Sequence, residues 1–309
     1  MNRIDENNHK KVIVVCGATG TQGSSVLEKL WDFRHIWHII ALTRNEKSEK
    51  ANALRAIGVE VKQADLEDKN SLIHTFKGAY AVFGVTQPWS PDNKHCFPEK
   101  EIQQGKNIVD ACVINDVSHL VYSSVLNFTS KPIQIPHVDS KLIIETYIKT
   151  NNLNYTILRL PQFMDNIGSS FFPVKKGVVK GFVDADAKVP YIYAKDIGKF
   201  VLKAFQHPGD FLGREVSIIG DIVSGYELGE IFQSIRKGQK FKYKSVPRIL
   251  IRIFAKEFYT MRVFFETYGR KPFLDIPEKI LKETKTIQPD ITSMKDFLLL
   301  ENFDSKSLS

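Results

Sequence analysis

Short apolar runs alternate with amphipathic stretches through the first half of the chain. The run at 12–16 is unbroken, as expected for a parallel strand buried on both faces, and a helical period follows at 21–31. This alternation predicts an α/β fold with a doubly wound parallel sheet, because right-handed crossovers place the connecting helices on both faces. The predicted strands are 12–16, 38–42, 59–63, 80–86, 119–124 and 155–160, and the predicted helices are 21–31, 46–57, 65–76, 98–115 and 137–150.

The rhythm changes after Pro161. A Gly-rich irregular stretch at 163–186 precedes further strand and helix patterns, in which Ser224 and Glu227 form a predicted capping box. These patterns predict a smaller C-terminal α/β lobe over 161–309. Its predicted helices are 194–206, 225–238, 248–268 and 293–300, its predicted strands are 214–219 and 239–246, and 269–290 is predicted to be mostly loop.

A glycine-rich loop links the first strand to the first helix, and it reads Gly17-Ala18-Thr19-Gly20-Thr21-Gln22-Gly23. The first glycine permits a sharp turn, the second lets backbone N–H groups approach a pyrophosphate, and the third allows close helix packing. The helix N-terminus adds partial positive charge. The loop therefore predicts a Rossmann-type dinucleotide-binding domain over 1–160, with 187–206 packing on it and the smaller lobe intertwined with it. The alternative is a tight turn without a ligand.

The end of the second strand favours NADP(H) over NAD(H). A fold that prefers NAD usually carries Asp or Glu here for the ribose 2′-hydroxyl, whereas this strand ends at Arg44 and Asn45. The planar fork of Arg44 can pair with a 2′-phosphate, and Lys47 and Ser48 can assist. Glu46 lies close to the same position, and a plain surface charge at Arg44 is the alternative.

Asp65 and Leu66 follow the third predicted strand. From there Asp65 can reach the adenine edge of a dinucleotide, and it can equally serve as the N-cap of the next helix.

The catalytic pattern of short-chain dehydrogenases is incomplete. These enzymes use a Tyr four residues before a Lys, and here Lys141 is present while His137 occupies the Tyr position. Ser123 and Ser124 end the fifth strand, where a dehydrogenase has its catalytic Ser, but Tyr122 has the wrong spacing. We expect Lys141 to hold the nicotinamide ribose. His137 is either a titratable proton donor or a surface histidine.

Composition and charge narrow the choice of partners. The net charge of +8 is densest at 236–252, which is either a solvated basic face or a surface for an anionic partner. No nucleic-acid motif accompanies it, so we expect no nucleic-acid partner.

Cys16, Cys96 and Cys112 form no metal-binding pattern, and Cys16 and Cys112 are expected to be core thiols. Without an apolar run long enough to span a bilayer or a signal-peptide core, we expect a cytoplasmic protein without a membrane partner, leaving a nuclear location open.

These motifs together resemble the NmrA-like family of atypical short-chain dehydrogenase/reductases, especially its HSCARG-type NADP-sensing members. The resemblance spans about 11–303. It is carried by Val15-Cys16 with the glycine loop, Thr43-Arg44-Asn45, Gly78-Ala79-Tyr80-Ala81-Val82-Phe83, Val85-Thr86, Glu101 to Gly105, Val121-Tyr122-Ser123, His137 to Lys141, and Leu158-Arg159-Leu160-Pro161.

The resemblance implies NADP(H) binding without the dehydrogenase Tyr. It departs from the family pattern at Gln87-Pro88-Trp89 and at Phe163, where a hydroxyl contact is lost. The implied cofactor contacts are Gly17, Ala18, Thr19, Gly20, Thr21, Gln22, Gly23, Arg44, Asn45, Lys47, Ser48, Asp65, Leu66, Thr86, Gln87, Pro88, Lys141, Phe163, Met164, Asp165 and Asn166.

The resemblance therefore favours a regulatory protein that senses NADP(H), has little or no dehydrogenase turnover, and acts through a protein partner or a homodimer. The alternative is an NADPH-dependent reductase of the isoflavone-reductase or quinone-reductase type. In that case Lys141 assists proton transfer and aromatic residues of the second lobe bind an apolar substrate. These aromatic residues are Phe163, Phe171, Phe172 and Phe254.

Overall fold

A computed structural model describes residues 10–90, 95–129, 131–170, 172–254 and 256–305, without the side chains of 254 and 256. The chain divides into two compact units. Unit 1 combines Met1–Val125, His137–Arg159 and Ile197–Val216, and unit 2 combines Leu126–Pro136, Leu160–Asp196 and Ser217–Ser309. The described part contains no helix that is long and apolar enough to cross a membrane.

A seven-stranded sheet forms the centre of unit 1, in the order β11-β6-β5-β4-β1-β2-β3. The strand pairs β1/β2, β2/β3, β1/β4 and β4/β5 are parallel, and the predicted α/β fold is confirmed. The strands of this sheet are β1 Lys11–Val15, β2 Trp37–Thr43, β3 Glu60–Gln63, β4 Ala79–Gly84, β5 His119–Val125, β6 Tyr155–Leu160 and β11 Arg214–Ser217. The accompanying helices are α1 Thr21–Trp31, α2 Glu49–Ala56, α3 Lys69–Thr75, α4 Pro98–Ile114, α5 Pro136–Thr150, α6 Ala194–Gln206 and α7 Pro208–Phe211.

The register of the central strands follows from their apolar runs. Ile13 of β1 lies beside Ile39 of β2 on one side and Ala81 of β4 on the other. Because these strands are buried on both faces, their continuous apolar runs are covered by helices, as expected for a parallel sheet. Cys16 and Cys112 are fully buried in this core, so the expectation of core thiols is confirmed.

Unit 2 contains two three-stranded sheets, in the orders β12-β10-β7 and β13-β9-β8. Ser224 caps α8, and its hydroxyl accepts a hydrogen bond from Glu227 N–H while the Glu227 carboxylate accepts one from Ser224 N–H, which confirms the capping box. The strands are β7 Gln162–Phe163, β8 Val174–Lys175, β9 Val178–Gly181, β10 Lys188–Ile192, β12 Asp221–Ser224 and β13 Lys242–Ser245. The helices are α8 Gly225–Ile235, α9 Arg248–Phe254, α10 Lys256–Tyr268, α11 Asp275–Ile287 and α12 Met294–Leu300.

One prediction about the C-terminal half was wrong in part. The stretch 269–290 is not mostly loop, because α11 occupies Asp275–Ile287. Pro277 falls in the first turn, where a proline is compatible with a helix, and Ile280, Thr284 and Ile287 then recur at helical spacing. The predicted helix at 248–268 is helical in all of its described residues, as α9 and α10, and residue 255 lies outside the described residues.

Candidate dinucleotide site

The glycine loop turns sharply off β1 and opens α1. Gly17 has a φ of +62°, in the left-handed region that favours glycine. Gly20 is the N-cap of α1, in an extended conformation and with no side chain to cap the first turn, which also lacks an acidic residue. The first N–H groups of α1 therefore have no intrahelical acceptor and no local negative charge, as an anion-binding helix N-terminus requires.

Gly23 explains why the loop is so compact. A Cβ at this position would lie 2.1 Å from the carbonyl oxygen of Gly17 and 2.8 Å from the backbone nitrogen of Ala18. These neighbours are backbone atoms that cannot rotate away. The third glycine is thus required by contact with the loop's own backbone, in addition to the helix–sheet packing expected from the sequence.

Arg44 lies just beyond the end of β2 and is exposed. Its guanidinium forms no hydrogen bond or ion pair with the residues that the structure describes. The nearby Glu46 carboxylate instead pairs with Arg55, at 3.3 Å between Nη2 and Oε2. The Glu46 carboxylate is therefore paired with Arg55, while the Arg44 guanidinium remains available for an anion.

The residues after Arg44 shape the start of α2. Asn45 Oδ1 accepts a hydrogen bond from Lys47 N–H, and the Ser48 hydroxyl caps α2 by accepting one from Ala51 N–H. Lys50 extends from α2 to the glycine loop, where its ammonium donates to the Thr19 carbonyl at 3.1 Å. We call the glycine loop, Arg44, Lys47 and Lys50 the phosphate end.

Asp65 does not cap the next helix, so that alternative was wrong. The N-cap of α3 is Asp68, whose side chain accepts from the backbone N–H groups of Asn70 and Ser71. Asp65 Oδ1 accepts from Glu67 N–H and forms an Asx turn. The carbonyl of Leu66 accepts a hydrogen bond from Asn107, which fixes the loop after β3 against α4.

At the carboxyl ends of β4 and β5, a set of polar side chains is buried around Lys141. Its ammonium donates to Thr86 Oγ1 at 2.8 Å and lies 3.0 Å from Glu101 Oε1. Backbone carbonyls at Thr86 and Ser123 accept at 3.3 and 3.2 Å, and the Tyr122 hydroxyl lies 3.4 Å away. The three protons of the ammonium therefore have more acceptors within the protein than they can use.

Glu101 anchors this set from α4. Its carboxylate accepts from the hydroxyls of Thr86 and Ser140, and Glu101 itself is fully buried. Gly105, one turn further along α4, allows this approach, because a Cβ there would lie 2.6 Å from Ile144 of α5. We call the buried side chains of Thr86, Glu101, Tyr122, Ser140 and Lys141 the lysine cluster.

The electrostatics of the lysine cluster keep Lys141 charged and Tyr122 neutral. Burial is the largest single influence on Lys141 and lowers its pKa, but the Glu101 carboxylate and the Tyr122 phenol together outweigh it and raise the pKa of the ammonium above its ordinary value. Burial raises the pKa of the Tyr122 phenol to about 12, with the Lys141 ammonium acting in the opposite direction. The phenol is therefore a poor acid near neutrality.

The Tyr-x-x-x-Lys spacing excludes Tyr122 as the dehydrogenase tyrosine, and it indicates no role for Glu101. Tyr122 contacts Lys141 of α5 from the middle of strand β5, not from one turn earlier on the same helix, so the Tyr-x-x-x-Lys spacing misses it. Glu101 left a weak signal in the sequence. It shares one face of α4 with Gly105, Ile108 and Cys112, all of them buried, and a lone acid on a buried face requires a partner.

The two serines that end β5 are engaged with other side chains. The Ser123 hydroxyl donates to Gln22 Oε1 at 2.6 Å, so it joins the first turn of α1 to β5. The Ser124 hydroxyl donates to Glu145, which is buried and paired with Arg159. Each hydroxyl would have to break its present hydrogen bond before it could act as the catalytic serine of a dehydrogenase.

His137 lies in the first turn of α5. The segment that follows β4, which contains Gln87, Pro88 and Trp89, leads to the start of α4. The ring of His137 is half-buried and lies 5.4 Å from that of Trp89. Gln87 is exposed and its N–H donates to Gln104, whereas Pro88 is buried and its carbonyl accepts from Phe97.

Phe163, Met164, Asp165 and Asn166 belong to unit 2, and their role stays a prediction. Met164 is buried, and Asp165 Oδ2 accepts from Ala194 N–H. Phe171 and the side chain of Phe254 lie outside the described residues. Within the described ranges, no group of three or more His, Cys, Asp or Glu could hold a metal ion.

The parallel sheet and the glycine loop define a Rossmann-type protein. The model of the NmrA-like family matches residues 9–298, so the chain belongs to that family and the predicted family is confirmed. A relative from Aspergillus sp. (strain MF297-2), the NmrA-like family domain-containing oxidoreductase notA, is 29% identical over 259 residues, which cover 77% of this chain and 76% of the relative.

Solved structures with the same fold include a regulator and a reductase. NmrA, a negative transcriptional regulator in complex with NAD, has a TM-score of 0.77 and 21% identity, over 97% of this chain and 99% of its own. The triphenylmethane reductase of Citrobacter sp., complexed with NADP(H), has a TM-score of 0.74 and 21% identity, over 94% and 99%. At this identity the likeness shows the fold alone.

Proposed function

We propose that this chain binds NADP(H), in preference to NAD(H), and acts as a redox-sensing regulatory protein with little or no dehydrogenase turnover. The observation that carries the proposal is the enclosure of the Lys141 ammonium by Glu101, Thr86 and backbone carbonyls. In a dehydrogenase, this lysine would hold the ribose and lower the pKa of a tyrosine. Here its donors are already used within the protein.

The phosphate end fits a dinucleotide. The positive φ of Gly17, the missing Cβ of Gly23 and the uncapped start of α1 form a backbone cradle for a pyrophosphate. A bound nicotinamide would supply hydride chemistry. The residues of this chain would hold the phosphates through backbone N–H groups and keep the proton of Tyr122 in place.

The preference for NADP(H) rests on Arg44 and Glu46. The Arg44 side chain is exposed and has no partner among the described residues, so its fork is available for a 2′-phosphate. The Glu46 carboxylate pairs with Arg55 and does not offer the acceptor that an NAD-preferring site uses.

Titration of the four dinucleotides into the full chain tests this proposal. We expect NADPH and NADP⁺ to bind at least tenfold more tightly than NADH and NAD⁺. Equal affinity for the phosphorylated and unphosphorylated forms would contradict the role of Arg44, and absence of binding would contradict the proposal as a whole.

The second candidate function is an NADPH-dependent reductase. It is favoured by the 3.4 Å approach of the Tyr122 hydroxyl to the Lys141 ammonium, which supplies a phenol beside the lysine without the dehydrogenase spacing. The similar chain from Aspergillus is named an oxidoreductase. If this function is correct, a wild-type reductase activity should disappear in Tyr122→Phe, which leaves the Lys141–Glu101 pair intact, while NADPH affinity is kept.

The partner is also a proposal. A regulatory role implies a protein partner or a second copy of the chain, and light scattering of the full chain with NADPH and with NADP⁺ tests for the second copy.

A further inference from the structure

Residues 237–253 of unit 2 present an outer surface that is both basic and aliphatic. Five of its six cations, all except Arg248, are exposed and have side chains that form no ion pair or hydrogen bond with the residues that the structure describes. These cations are Lys237, Lys240, Lys242, Lys244 and Arg252. The exposed apolar side chains beside them are Val246, Pro247, Ile249, Leu250 and Ile253. We call this set the basic–aliphatic surface.

The first half of this surface follows from the alternation of a β-strand. Around β13, Phe241 is buried and Tyr243 is half-buried, with its hydroxyl donating to the Val183 carbonyl. Lys242, Lys244 and Val246 alternate with them and are exposed on the opposite face. The strand therefore presents two lysines and then an aliphatic side chain to solvent in one row.

The second half is the short helix α9. Ile251 is buried, whereas Ile249 and Ile253 are 60% and 64% exposed, which is unusual for two isoleucines one turn apart. Arg248 pairs with Glu266 and Asp184, so the start of the helix is fixed to the rest of unit 2. The exposed isoleucines are thus held outward on an anchored helix.

The charge pattern argues against binding of a second copy of the chain through the basic–aliphatic surface. The sequence contains no Asp or Glu between Glu230 and Glu257. A twofold contact through this surface would bring the same cations of two chains together, because an isologous interface pairs a patch with itself.

The residue types also disfavour nucleic acid and a folded protein partner. No aromatic ring between 237 and 253 is exposed, so the surface offers nothing for stacking bases, and aliphatic side chains gain nothing from a phosphate backbone. Protein interfaces are enriched in Tyr, Trp and Arg and depleted in Lys, whereas four of these five cations are lysines.

We propose that the basic–aliphatic surface binds the surface of an anionic phospholipid membrane. The lysines and Arg252 would contact lipid phosphates while Ile249, Leu250 and Ile253 enter the acyl boundary, which is the division of roles in interfacial amphipathic segments. The proposal does not depend on the dinucleotide. It departs from the expectation of no membrane partner, which rested on the search for a spanning segment.

Co-sedimentation of the full chain with vesicles tests the proposal. Vesicles of phosphatidylcholine alone are compared with vesicles containing about 30% phosphatidylserine, at low and at high salt. We expect binding only to the anionic vesicles and weaker binding at high salt. Lys242→Gln with Lys244→Gln should lower the partition coefficient about 25-fold, because each cation near an anionic membrane contributes about a factor of five.

Ile249→Ser with Ile253→Ser distinguishes a membrane from a general polyanion. We expect this variant to lose at least tenfold in vesicle partitioning and to keep its retention on heparin. Ile114→Ser with Lys77→Gln, exposed positions of unit 1, is the matched control and should bind as the wild type does. Wild-type protein that stays in the supernatant, or an isoleucine variant that binds vesicles unchanged, would overturn the proposal.

Discussion

The two ends of the candidate site in unit 1 differ in how their polar groups are satisfied. At the phosphate end, Arg44 is exposed and without a partner among the described residues, and the N-terminus of α1 is uncapped. In the lysine cluster, Lys141, Glu101 and Tyr122 are buried and bonded to one another. One end is therefore ready to receive an anion, while the other is already complete.

The phosphate end concerns the binding of a dinucleotide, whereas the lysine cluster concerns whether a reaction can follow. Both regions derive from the same α/β framework, and each contains a cation that dehydrogenase sequences would lead one to assign to the cofactor. A cation with spare donors can hold a phosphate, whereas a cation surrounded by protein acceptors gains little from a new one.

Glu101→Leu should be the most damaging change, because it leaves the buried Lys141 ammonium without a counterion. Breaking one side of a buried ion pair costs about 3–5 kcal/mol of unfolding free energy. The double variant Glu101→Leu with Lys141→Met should recover most of this loss, since neither charge then remains buried. Urea denaturation of the two variants measures it, and a single variant as stable as the wild type would show that the lysine cluster is not closed.

Gly23→Ala should damage the phosphate end. Its Cβ would meet the Gly17 carbonyl at 2.1 Å, so the loop or α1 must shift, at about 1–3 kcal/mol of unfolding free energy and with loss of measurable dinucleotide binding. Gly209→Ala is the control, because a Cβ there has no neighbour within 4 Å. Denaturation and NADPH titration check both variants, and retained NADPH affinity in Gly23→Ala would contradict the assigned cradle.

Local features of unit 1 could be predicted from the sequence, whereas contacts between residues distant in the sequence could not. The sheet and the glycine loop were predictable because apolar runs and glycines act locally, at fixed spacing. Tyr122 and Glu101 were not recognised, because their contact with Lys141 depends on which strands and helices become neighbours. The helix α11 does carry a sequence signal, because Ile280, Thr284 and Ile287 recur at helical spacing and Pro277 in the first turn is compatible with a helix.

Arg44→Ala should change cofactor choice without changing stability. Loss of a charged hydrogen bond to the 2′-phosphate should weaken NADPH binding about 10- to 100-fold and leave NADH affinity unchanged. Lys77→Ala removes the same charge from an exposed position after α3 and should leave both affinities as they are. Parallel weakening of NADPH and NADH binding would show that Arg44 does not read the 2′-phosphate.

Tyr122→Phe should have the smallest effect near neutrality, about 1 kcal/mol for the lost hydrogen bond to Thr86. At alkaline pH the sign reverses. The folded pKa of about 12 exceeds the unfolded value near 10, so the wild type loses stability as pH rises from 10 towards 12, and the variant lacks this loss. Denaturation at several pH values measures the two slopes, with Tyr226→Phe, which removes an exposed phenol, as control. Identical slopes in the wild type and Tyr122→Phe would place the phenol outside a closed cluster.

Consumption of NADPH by the saturated full chain, measured with a panel of quinones and carbonyl compounds, shows whether the closed lysine cluster prevents turnover. An open phosphate end beside a closed lysine cluster predicts tight NADPH binding with turnover below about one per second, at the low end of typical enzymes. Faster turnover that disappears in Lys141→Met would contradict this account and establish the reductase.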